Sequence, residues 1–196
     1  MVAARARGIL VYGLAGLTLL PTLVFAHPEE QHARDALSGL LHPFTGLDHL
    51  LAMFAVGLWA VRSGRTAAWT LPLVFPLAML IGATLAVNAI VLPAIEPMIS
   101  ISVIVLGLLV ATRVRVPVLA SAALVGLFAI LHGYAHASDM HAGNMIPYAS
   151  GFMGATLALH AVGIAIGAWS NGRTHRGQYV RTMGSLIALA GAAMLI

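Results

Sequence analysis

The sequence has 196 residues, of which 60% are hydrophobic and 8% are charged. A typical soluble domain has about 25% charged residues, so this composition excludes a soluble globular protein. The net charge of +4 comes from Arg alone, in short groups between apolar runs, which indicates membrane topology and argues against nucleic-acid binding. The chain contains no Cys, so a metal ion would need His, carboxylate, Met or backbone oxygen ligands.

Residues 1–26 have the pattern of a secretory signal peptide. Two Arg near the start precede a short apolar stretch that ends before Pro21, and a small-residue cleavage site follows at Ala26. The alternative is an uncleaved signal anchor, but the apolar stretch is short for a membrane span. The sequence therefore predicts cleavage and a short extracytoplasmic segment at residues 27–39.

Six further apolar segments predict a single all-α membrane domain over residues 40–196. At about 20 residues per span, the apolar runs accommodate six transmembrane helices joined by short loops. The predicted spans are residues 40–61, 67–90, 95–112, 116–138, 146–169 and 178–196. No part of the chain is left over for a separate soluble domain.

The distribution of Arg orients these spans. Seven Arg fall in loops on one side: Arg62, Arg65, Arg113, Arg115, Arg173, Arg176 and Arg181. The opposite side receives only Arg34, together with most of the acidic residues. The positive-inside rule therefore predicts a protein of the bacterial inner membrane with its mature N-terminus and its C-terminus outside, and a cleaved signal requires the same orientation.

Ionisable residues within spans are candidates for function, and the first group lies at the start of the first span. His42 and His49 are seven residues apart and share a face of a regular helix, whereas Asp48 points about 120° away. Either Asp48 meets a different partner, or the helix is irregular near Pro43 and Gly46. An interfacial helix start, with Asp48 as a cap, is the alternative to a binding site.

A second group lies at the end of the fourth span. His132, His136 and Asp139 follow an i, i+4, i+7 pattern, so their side chains project from one stripe. The topology places this stripe at the outer side, level with the first group. Glu96 is on the same side and either completes the site or is a solvated loop charge. His160, deep in the fifth span, is either a second position on a path or a structural His bonded to a helix carbonyl.

Neutral imidazole with carboxylate is a ligand set suited to nickel, cobalt, zinc, copper(II) or iron(II). The same groups can relay protons. The sequence has no Gly-x-Ser-x-Gly, His-Glu-x-x-His or phosphate-binding glycine motif, so we expect no enzymatic activity and no direct use of a nucleotide. A metal sensor or storage protein and an intramembrane metalloenzyme are the alternatives to a transporter.

The first group also carries a family resemblance. His42, five residues, Asp48 and His49 match the first signature of the HupE/UreJ family of nickel and cobalt permeases. Residues 131–139 resemble its second signature, Phe-His-Gly-x-Ala-x-Gly-x-Glu, with Leu, Ala and Asp replacing Phe, the second Gly and Glu. The length, the signal and the six-span layout are also similar.

The resemblance implies a permease that takes up nickel, or in some members cobalt, for metalloenzymes such as hydrogenase and urease. The metal ion is then cargo, and no prosthetic group is expected. The expected partners are the lipid bilayer and the divalent metal ion, and a homo-oligomer is one assembly that the sequence allows. The expected metal-binding residues are His42, Asp48, His49, Glu96, His132, His136 and Asp139.

Overall fold

The computed structural model describes residues 28–139, 145–170 and 174–196, with side chains for 35–137, 146–170 and 177–196. These residues form helices and connecting turns, without a strand in the part described. The helices are α1 (Pro28–Leu41), a 3-10 turn (His42–Phe44), α2 (Leu47–Arg62), α3 (Arg65–Val87), α4 (Ile95–Thr112), α5 (Val118–Asp139), α6 (Met145–Ser170) and α7 (Thr174–Ala193). The predicted signal peptide, residues 1–26, lies outside the described residues, so its cleavage stays a prediction.

Four of the described helices, α3 to α6, are long and apolar enough to cross a membrane. Helices α1 and α2 provide a fifth crossing if the bent pair Asp35–Phe44 and Leu47–Arg62 is one span. The sixth predicted segment, residues 178–196, is helical as α7 but is not among these candidates. The all-α membrane fold is confirmed at this level, and the count of six spans stays a prediction.

The first predicted span, residues 40–61, is not one regular helix. The chain bends by 78° between α1 and α2. Pro43 lies in the 3-10 turn and has no backbone N–H to donate to an α-helix. The backbone of Gly46 is extended, with φ −100° and ψ 112°. Helix α2 alone is about 24 Å long at 1.5 Å per residue, shorter than a bilayer core of about 30 Å. The predicted irregularity at Pro43 and Gly46 is therefore present.

Close helix pairs build the bundle, with α3 against α5, α4 against α7 and α2 against α6 in the most extensive contact. Gly133 of α5 shows why small residues are needed: a Cβ there would collide with the backbone of Met79 on α3. A Cβ on Gly82 of α3 would likewise collide with the carbonyl oxygen of Ile130. Small residues that let helix backbones approach closely are typical of membrane bundles.

The two ends of α2 differ in charge. Arg62, at its last residue, lies close enough to Arg113 and Arg181 for their charges to interact. Arg181 Nε also donates a hydrogen bond to the carbonyl of Ala111, at 3.2 Å. At the first turn of α2, Asp48 lines a cavity together with Glu96 of α4. These three Arg and these two carboxylates thus lie at opposite ends of α2.

Candidate metal site

Four imidazole rings from distant parts of the sequence lie together at the end of the bundle that carries Asp48. The ring centroids of His49 and His136 are 4.0 Å apart, those of His42 and His136 4.7 Å, and those of His49 and His132 4.8 Å. We call His42, His49, His132 and His136 the imidazole cluster. The two sequence groups that carry these residues therefore meet in space.

Two local features of the backbone make this meeting geometrically feasible. On α5 the two rings are one turn apart and so share a face. On the other side the bend after Leu41 places His42 in the 3-10 turn and His49 in the first turn of α2. The arrangement depends on the break between the two helices, because His42 and His49 belong to separate segments and their relative position is not set by the periodicity of one regular helix.

Hydrogen bonds fix the orientation of two rings in the cluster. His49 Nδ1 is 2.7 Å from Asp48 Oδ1, and His132 Nδ1 is 2.9 Å from the carbonyl oxygen of Phe128. A carboxylate or carbonyl oxygen accepts hydrogen bonds, so in the neutral rings Nδ1 carries the proton and donates it. Each Nε2 then carries a lone pair. This is the arrangement by which proteins hold metal-ligating imidazoles in one tautomer.

The Nε2 atoms of His49, His132 and His136 are buried and have no hydrogen-bond partner among the described residues. Their residues are 8%, 0% and 6% exposed. A buried polar atom without a partner costs about 1–3 kcal/mol, so three in one place call for an explanation. A cation that accepts imidazole nitrogen as a ligand would satisfy all three.

The cluster is not a preformed chelate. The described side chains contain no group of three or more His, Asp or Glu that is already placed to hold a metal ion. With metal–nitrogen distances of about 2.1 Å, two imidazole centroids around one ion lie about 4.5 Å apart at right angles and about 5 Å apart in a tetrahedron. The observed separations have this scale, and the side chains would have to rearrange before three of them could hold one ion.

The carboxylates predicted for the site have different positions. Asp48 contacts the cluster through His49 and also lines a cavity of about 340 Å³ with Glu96, Ser100 and Met194. Glu96 therefore faces the same cavity as Asp48 but is not placed within the imidazole cluster by any described contact. Asp139 ends α5, and its side chain lies outside the described part of the chain.

Aromatic side chains that sequence reasoning did not single out surround the cluster. The ring centroid of Phe152 is 4.3 Å from that of His136, and Tyr148 is 5.8 Å from His42. Phe75 of α3 lies 5.8 Å from His132. Aromatic residues are common in apolar spans, so only the helix packing could reveal that these three border the imidazoles. The carboxylate of Asp48 contacts the cluster through His49.

The comparison with known families covers almost the whole chain: residues 15–194 match the HupE / UreJ protein family. The chain belongs to the HupE/UreJ family. It is also 43% identical over 185 residues to Protein HupE of Rhizobium leguminosarum bv. viciae, an alignment that covers 93% of this chain and 95% of the relative. No solved structure matches the chain. The resemblance predicted from His42, Asp48 and His49 is confirmed, and the apolar helices identify this HupE/UreJ protein as a multi-pass membrane protein.

Proposed function

We propose that this HupE/UreJ protein is a secondary permease for a divalent transition metal ion, nickel or cobalt, in the bacterial inner membrane. The observation that carries the proposal is the set of three buried, unpartnered Nε2 atoms in the imidazole cluster. Neutral imidazole nitrogen is a ligand for these borderline ions. Membership of a family associated with nickel and cobalt transport supports the same function.

The imidazole cluster is the first binding site in this proposal, and it faces outward. The positive-inside rule orients the Arg-rich end toward the cytoplasm, which leaves the cluster and the cavity of Asp48 and Glu96 on the outer side. The two carboxylates attract a dication to this cavity and lower the cost of moving it into a low-dielectric region. Asp48 also orients the ring of His49, so the same carboxylate attracts the metal ion and aligns one of its ligands.

The ion breaks no hydrogen bond to a described side chain when it reaches the three Nε2 atoms, because none of them has such a partner. Closing the rings around the ion requires a rearrangement of these side chains. Binding that needs rearrangement is weaker than binding to a preformed chelate, which suits a transporter that must release its cargo. Asp139, one turn beyond His136 on α5, is a further proposed ligand on the basis of its spacing.

Uptake of nickel into vesicles that contain the purified protein tests the permease function. The vesicles should accumulate more Ni²⁺ than the amount of protein present, and vesicles without protein should not. Replacement of His42 and His49 together by Gln should abolish most of this uptake. Binding limited to the protein's own stoichiometry would instead indicate a sensor or storage protein, and turnover of a substrate without uptake would indicate a metalloenzyme.

A further inference from the structure

His160 is a buried titratable residue that the imidazole cluster does not use. It is 1% exposed, and neither Nδ1 nor Nε2 has a hydrogen-bond partner among the described residues. A structural His would be expected to bond to a helix carbonyl, as His132 does to Phe128. His160 lacks such a bond, and two unpaired polar atoms make it a poor choice for packing alone.

Aromatic rings connect His160 to the cluster. The ring centroid of Phe75 is 5.2 Å from that of His160, with the rings at 81°, and 5.8 Å from that of His132, with the rings at 55°. His132, Phe75 and His160 belong to α5, α3 and α6, so this line of rings crosses three helices in the interior. Phe75 is fully buried and stands between the two imidazoles.

His160 lies farther into the bundle than the imidazole cluster. Along α6 it is about 12 Å beyond Phe152, the residue whose ring contacts His136, at 1.5 Å per residue. Pro72 and Pro76 flank Phe75 within α3 and remove two backbone donors at this level. Freed backbone carbonyls at membrane depth are tolerated where protein or a cavity surrounds them.

Helix packing holds His160 in place. A Cβ on Gly57 of α2 would collide with the carbonyl oxygen of His160, and a Cβ on Gly163 of α6 would approach the backbone of Gly57 closely. The two helices therefore meet backbone to backbone beside His160. This contact fixes the backbone of α6 at His160.

We infer that His160 is an inner metal-binding position, which receives the divalent ion from the imidazole cluster after the ion passes Phe75. This inference rests on the proposed permease function. A single imidazole provides one nitrogen ligand and holds the ion more weakly than the cluster does. Conduction needs such a position, because binding must be weak enough for the ion to leave.

The chain has no native Cys, which permits a direct test. In the full-length His160→Cys variant, Co²⁺ bound at this position should produce sulfur-to-cobalt charge-transfer absorption, because thiolate is a good ligand for the ion. The matched control is Val162→Cys, two residues along α6, where the side chain is half exposed at the helix surface. The control should show no such absorption. Its absence in His160→Cys, with Co²⁺ still bound at the cluster, would overturn the inference.

Transport separates the inference from the proposed function. His160→Leu should leave equilibrium binding of Ni²⁺ at the cluster unchanged and lower vesicle uptake about tenfold or more, since even the loss of an outer-shell partner of a metal ligand lowers affinity or activity about 10–100-fold. His160→Cys should retain much more uptake than His160→Leu, whereas a packing role predicts the opposite order. Full uptake by His160→Leu would refute the inner position alone. Failure of the unmodified protein to accumulate Ni²⁺ would refute the permease itself, whatever the absorption of His160→Cys.

Discussion

Replacing Asp48 with Asn should weaken equilibrium metal binding about fivefold, because it removes the charge that aligns His49. The 2.7 Å bond from His49 Nδ1 to Asp48 Oδ1 is charge-assisted. Such a bond contributes about 1.5–3 kcal/mol, against about 1 kcal/mol for a neutral one. Asp48 is partly exposed, so solvent screening places the difference near the lower end, at about 1 kcal/mol or about fivefold in affinity.

The assay is calorimetric titration of the detergent-purified protein with Ni²⁺, with thermal unfolding measured in parallel to verify the fold. The same substitution in a His49→Gln background is the control, because Asp48 can no longer act through an imidazole there. The loss of Ni²⁺ affinity caused by Asp48→Asn should then be smaller. The difference between the losses in the two backgrounds measures the coupling between Asp48 and His49. An equal loss of affinity in both backgrounds would refute the orienting role. No loss in either would remove Asp48 from the site.

Three other predictions concern packing, ligand identity and topology. Gly133→Ala should lower the free energy of unfolding of the detergent-solubilised protein by about 1–3 kcal/mol, because the added Cβ would collide with the backbone of α3. Gly126→Ala is the control and should have little effect, because its Cβ would make ordinary contacts. Equal unfolding temperatures for the two variants would contradict the α3–α5 contact. Asp139→Glu should retain Ni²⁺ uptake while Asp139→Ala loses much of it, and equal uptake by the Ala variant and the unmodified protein would exclude this carboxylate. A reporter that works only outside the cytoplasm should be active at Ile196, and one that works only inside should be active near Gly172; reversal of either result would invert the proposed orientation.

The helices of the bundle could largely be predicted from apolar runs. The predicted segments 95–112 and 146–169 agree with α4 and α6 within one residue at each end. This success has a simple cause, because a membrane span must satisfy its own backbone hydrogen bonds and present apolar side chains to lipid. The shape of the first span could not be predicted in this way, since hydropathy does not register the 78° bend at residues 42–46. Pro43 and Gly46 gave the only local indication of that break.

The sequence could predict that the four His lie near one another, but not how their side chains are arranged. Spacing placed His132 and His136 on one face, and topology placed them level with His42 and His49. The bond between Asp48 and its neighbour His49 could not be read from helix periodicity, which directed the two side chains apart. Nor could the sequence distinguish a bonded His160 from an unpartnered one, because that depends on which side chains of α2 and α3 surround it.

The sequence by itself determined that the chain is a helical membrane protein with Arg at one side, and that its His-x5-Asp-His segment belongs to the HupE/UreJ family. Those properties are local, since hydropathy, loop charge and motif spacing act within single segments. Only the tertiary structure decided that four imidazoles meet, that three buried Nε2 atoms are left without described partners, and that Phe75 separates His132 from His160. These features depend on distances between helices far apart in sequence, which are set by the close backbone packing at residues such as Gly57 and Gly133.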